Sequence, residues 1–140
     1  MRRKVNDTDV LAGKKHFYQV GCIACHQPKY KTPKILDQPE QSEQLIWPYT
    51  DLLLHDMGEG LADHRPEGKA TGKEWRTAPL WGVGLATMVS KRAKFLHDGR
   101  ARNIQEAILW HGGEAQVAKS RFMALKKIQR EQLLMFVESL

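Results

Sequence analysis

Cysteine is scarce in this sequence of 140 residues: two are present, Cys22 and Cys25, and none elsewhere. That excludes a framework of several disulfides and a four-thiolate metal site. No stretch approaches the roughly 20 consecutive apolar residues that a membrane span requires, and no internal repeat points to a solenoid or an array. The opening Met1-Arg2-Arg3-Lys4 is basic, but Val5-Asn6-Asp7-Thr8-Asp9 follows where a secretion signal would turn apolar, so no export signal is visible. Acidic residues are few at the front. Residues 1–34 hold eight Lys or Arg against two Asp, a net of +6, whereas residues 35–140 hold fourteen of each sign. Neither a basic helix nor an aromatic-basic repeat accompanies that excess, which makes nucleic acid a poor partner.

What is present centres on Cys22-Ile23-Ala24-Cys25-His26. A C-x-x-C-H run is the attachment signature of a c-type haem: two thiols add across porphyrin vinyl groups and the adjacent histidine supplies an axial nitrogen. The length suits one compact domain, and a hydrophobic fraction of 41% suits a modest core that a haem would enlarge. All the excess positive charge surrounds the motif, where it would steer an acidic redox partner; the plainer reading is a solvated tail and a lysine-rich loop at Lys29–Lys34. Bacterial haem attachment happens outside the cytoplasm. The expectation is therefore a periplasmic protein, of which this chain is a fragment or mature segment. A Cys22–Cys25 disulfide is the alternative in an oxidising compartment.

Asp7 or Thr8 can cap a helix running to about Val20, with Val10, Leu11, Phe17 and Tyr18 apolar and Gly21 as its stop. From Gln27 to Trp47 the composition of Pro, Lys, Gln and Glu predicts a long loop, and a loop that long needs something to wrap. Tyr49 to Gly58 is a short apolar run, read as a helical turn or an extended piece; Glu59 to Glu74 reads as another surface loop. Trp75 to Leu85 brings together two of the four tryptophans, a candidate haem wall. After the turn in Phe95-Leu96-His97-Asp98-Gly99-Arg100, Asn103 caps a helix with Glu106 placed for a capping box, and Ile104, Ala107, Ile108 and His111 share one face. Gly112-Gly113 ends it. Further helices are predicted over Glu114 to Ala124 and Lys127 to Leu140. The expected fold is all-α and cytochrome c-like, with long loops wrapping a covalently attached haem and no substantial sheet.

The segments Gly21 to His26, Tyr49 to Gly58, Glu74 to Gly82, Phe95 to Arg102 and Glu106 to Ala115 span most of the chain in order. From Gly13 onward they resemble the C-terminal haem domain of bacterial di-haem oxidoreductases related to di-haem cytochrome c peroxidases and MauG-type proteins, in the branch also labelled "thiol oxidoreductase". Family proteins are longer, with a second haem domain upstream. The resemblance thus implies that this chain is the half that stores and relays an electron, its partner being an upstream haem domain or a separate redox protein. Peroxidase-like chemistry at this haem is the alternative.

With His26 as one axial ligand, the other face can take His111, Met57, His55, His97 or Met88, or stay open. In the peroxidases a methionine at the end of the helix after the H-D-G turn fills that place, and here the equivalent position holds His111. His111 is the preferred ligand and Met57 the alternative. Two imidazoles favour ferric iron more than an imidazole–thioether pair and close the coordination sphere. Arg76, Arg100 and Arg102 are candidates to pair with haem propionates, and Trp81 and Trp110 to pack on the porphyrin. His97 reads as structural, and His55 as structural or a contact to the haem edge. A reading without haem makes Cys22 and Cys25 a redox dithiol, which wants a βαβ setting. It could also make them half a zinc site completed by His16, His26, His55 or His64.

Overall fold

Asp7 begins the first helix. In the computed structural model, which describes residues 3–140, its carboxylate accepts from the backbone N–H groups of Asp9 and Val10, at 2.9 and 3.2 Å. That satisfies two donors a helix start leaves orphaned. Helix α1 (Thr8–Val20) ends at Gly21, whose φ of 98° is the left-handed conformation that a glycine adopts without a Cβ penalty. The chain turns there directly into a 3-10 turn over Cys22–Ala24. The helix end therefore fixes where the first cysteine stands.

At the other end of the chain, α5 (Lys127–Glu138) packs across α1. Val10, Phe17 and Val20 of α1 meet Leu133, Phe136 and Val137 of α5, with Tyr49 and Phe122 completing the buried core. Phe17 and Phe136 pack edge to face, ring centroids 5.3 Å apart. The two helices come close because residue 13 is glycine: a Cβ there would lie 1.9 Å from the Gln132 carbonyl oxygen. Between them in sequence lie the short α2 (Ala86–Val89), α3 (Ile104–Trp110) and α4 (Gln116–Ala124). Asn103 caps α3 through a 2.8 Å bond from the Glu106 N–H. The expected capping box closes one residue early, since Glu106 accepts from the Arg102 N–H at 3.0 Å rather than from Asn103.

The all-α expectation is overturned. Helix accounts for 43% of the chain and strand for 10%, with two small antiparallel sheets, so the fold is mixed α and β. Within the stretch predicted as loop, β1 (Tyr30–Lys31) pairs with β2 (Leu45–Ile46). Further on, β3 (Leu54–Asp56) pairs with β4 (Glu74–Arg76), in register Leu54 to Arg76, His55 to Trp75 and Asp56 to Glu74. Strands of two and three residues are too short for an alternating pattern to show, and their partners lie a loop away. Among the described residues no helix is long and apolar enough to cross a membrane.

Candidate functional site

The turn after α1 brings Cys22, Cys25 and His26 to the wall of a cavity of about 440 Å³, whose lining is dominated by apolar side chains such as Phe17, Leu80, Val83, Ile104, Ile108 and Leu133. Loops and the second sheet build the rest. His111 arrives as the residue that closes α3, Met57 and His55 come from β3 and its end, and Trp75 and Arg76 come from β4.

Two imidazoles in this wall are held in the same way. His26 Nδ1 lies 3.0 Å from the Tyr49 carbonyl oxygen, and His111 Nδ1 lies 2.7 Å from the Ala107 carbonyl oxygen. A carbonyl can only accept, so Nδ1 carries the proton in both rings and Nε2 keeps its lone pair. Among the described residues neither Nε2 has a hydrogen-bond partner. Burial pushes His26 down to about 4 against the gain from the Tyr49 bond, with His111 lowering it further. Burial also holds His111 below the ordinary histidine value. Both rings are neutral at pH 7, the state in which imidazole is a metal ligand. Tyr49 itself has φ of 55°, an uncommon backbone for a non-glycine residue, at the point where its carbonyl meets His26.

Burial likewise raises both thiols, Cys22 to about 12 and Cys25 in the same direction with Asp51 and Glu114 adding to it. A redox dithiol works through a thiolate of lowered pKa, so this environment is the reverse of the thioredoxin type. Both cysteines are free thiols.

The sequence-predicted residues divide. Cys22, Cys25, His26, His111, Met57 and Arg76 all stand in the cavity wall. Trp81 is 53% exposed and stands off it. Arg100 is also off the wall: it bonds Asp98 and the Gly60 carbonyl, and its guanidinium sits 5.2 Å from the Trp110 ring centroid. Arg102 is taken by Glu106. His97 packs on Trp75, centroids 4.5 Å apart, and bonds the Arg76 backbone.

Sequence reasoning missed Lys94 and Lys119, which join Arg76 in the wall. No ion pair among the described residues involves any of these three cations. Two lysines among 22 basic residues carried no signal of their own. It also missed the carboxylates around His55, whose Nε2 lies 2.9 Å from Asp51 and whose Nδ1 lies 2.8 Å from Glu114. The Glu114 bond, then the Asp51 bond acting against partial burial, raise the His55 pKa.

An apolar cavity with two thiols, two neutral imidazoles and three unpaired cations fits a haem: plate, attachment points, axial donors and propionate partners all have counterparts. This is the donor set of a haem protein. The chain belongs to the family described as "di-haem oxidoreductase, putative peroxidase", whose model matches residues 1–140. Haem binding and oxidoreductase chemistry are that family's properties. No curated protein and no solved structure matches the chain.

Proposed function

We propose that this chain carries one covalently attached c-type haem and relays single electrons through it, without activity on peroxide of its own. The observation that carries the reading is the pair His26 and His111, both neutral, both tied through Nδ1 to a backbone carbonyl and both left with a free Nε2 at the same cavity. Metal-ligating histidines carry such a tie, which fixes the tautomer and the ring orientation. Met57 shares the wall.

When bound, a haem supplies a one-electron ferric/ferrous couple. The chain's own residues do the rest. Cys22 and Cys25 would hold the group covalently, since a thiol can add across a vinyl double bond, sulfur to one carbon and the thiol hydrogen to the other, with no outside oxidant. His26 and His111 would hold the iron through their free Nε2 atoms and leave no position for a third ligand. Arg76, Lys94 and Lys119 would pair with its propionates, while Phe17, Leu80 and Ile108 would exclude water. The family is di-haem and this sequence has one C-x-x-C-H, so the second haem belongs to an upstream domain or another chain. Exposed Lys15, Lys29 and Lys34, on the helix before the motif and the loop after it, favour an acidic redox partner. A periplasmic location goes with covalent attachment of this kind.

Mass spectrometry after co-expression with haem-attachment machinery tests the first half: a haem-sized addition is expected on the wild type and none on Cys22→Ser/Cys25→Ser. The oxidised visible spectrum tests the second. Two imidazoles predict no methionine–iron charge-transfer band, and its appearance would give the site to Met57 instead.

A further inference from the structure

Cys25 belongs to a second constellation. Its Sγ, a carboxylate oxygen of Asp51 and a ring nitrogen of His55 all lie within 4.8 Å of one another. We propose that, in the chain before haem is attached, these three residues bind a divalent metal ion of the zinc type, and that metal and haem compete for Cys25. The competition rests on the relay reading above; the metal site does not.

The donor types select the metal. One thiolate, one imidazole and one carboxylate together suit zinc or cobalt(II), whereas calcium and magnesium want oxygen alone. With metal–ligand bonds of about 2.0–2.3 Å, donors in a tetrahedral site sit roughly 3.3–3.7 Å apart. Asp51 Oδ2 and His55 Nε2, now 2.9 Å apart, need to open by only a few tenths of an ångström. A fourth position is left for water.

A second observation, independent of the cluster, comes from the far side of the ring. His55 Nδ1 is bound at 2.8 Å by Glu114, whose other oxygen is fixed at 2.9 Å by the Asp56 N–H. A carboxylate on the distal nitrogen of a ligating histidine is the recurring support of zinc sites. It would hold the proton on Nδ1 and present Nε2 to the metal. Binding then sends two protons to solvent, one from the Cys25 thiol and one from His55 Nε2. Cys22 takes no part, which separates this site from a dithiol site and from the attachment chemistry. Of the other histidines a zinc reading of the sequence would enlist, His16 has both ring nitrogens engaged, by Gln19 and Gln132.

The test is titration of the full, reduced, haem-free chain with cobalt(II) and then zinc. The expected result is one equivalent of cobalt, with a sulfur-to-cobalt charge-transfer band in the near ultraviolet that zinc displaces. The band should survive in Cys22→Ser and vanish in Cys25→Ser. Affinity should fall at least tenfold in His55→Gln and Asp51→Asn, and about tenfold in Glu114→Gln. Excess zinc during attachment should lower the yield of haem-loaded protein, and Asp51→Asn should relieve that inhibition. No band in the wild type, a band lost with Cys22, or affinities unmoved by His55→Gln and Asp51→Asn would overturn the proposal. If cobalt binds as expected and haem never attaches, the metal site stands and the relay reading falls.

Discussion

The pair α1 and α5 and the loop-built wall of the cavity are held together by different forces. The helices meet through buried apolar side chains, Val10 and Phe17 against Leu133 and Phe136, with backbones brought close at Gly13. The wall is held by single polar bonds. Thr50 Oγ1 donates to the Thr77 carbonyl at 2.7 Å, the Thr77 N–H to Leu53 at 2.9 Å and the Leu80 N–H to Pro48 at 2.9 Å. Its backbone is left-handed at Tyr49 and Leu52, and Leu52, Leu53 and Leu54 are all exposed. Burial of a large apolar side chain resists perturbation by several kcal/mol, and one hydrogen bond by about one. The helical pair is therefore a frame, and the wall a surface shaped around something else.

Substitutions should separate the two. Phe136→Ala, in the frame, is expected to cost about 3–5 kcal/mol in denaturant unfolding, while the molecules that remain folded keep the wild-type visible spectrum. Acid should strike the wall. His26 sits at about 4 in the fold and returns to 6.5 when unfolded. Between those values the unfolded chain binds more protons, so stability is full above pH 6.5 and is lost as pH falls toward 4. For that one group the loss is about 3 kcal/mol, read from unfolding of the haem-free chain across that range. His111 shifts in the same direction and steepens the fall.

Smaller effects sharpen the contrast. Thr50→Val removes the bond to Thr77 and the one accepted from the Leu52 N–H at 2.9 Å. The expected cost is about 1–2 kcal/mol, together with a spectral change that Phe136→Ala does not produce. Lys94→Gln and Lys119→Gln should leave stability within about 0.5 kcal/mol. Each should nonetheless lower the haem midpoint potential, because removing a cation beside the site favours the ferric state. A potential unmoved by both would take these lysines out of the propionate role.

The frame was legible because its signals are local. Asp7 before an apolar run, Gly21 after it, Asn103 before Ile104 and the apolar spacing of α5 each act within one helical turn. The close approach at Gly13 was not, since it depends on Gln132 at the far end of the chain. The attachment motif placed three wall residues at once because its chemistry requires adjacency. The pairing of β3 with β4 left no pattern in strands of three residues. The union of His55 with Glu114 across 59 positions is invisible in either neighbourhood. Arginine was favoured over lysine for the propionates on hydrogen-bond geometry, yet the wall takes one arginine and two lysines.

If His26 and His111 both ligate one haem iron, carbon monoxide reports on it directly. The reduced, haem-loaded chain is mixed with the gas and followed in the visible region, with His111→Ala beside it. The wild type should then bind little at once, or only as slowly as His111 dissociates, whereas His111→Ala should bind fully on mixing. Immediate and complete binding by the wild type would contradict it, and would return peroxide chemistry to this haem.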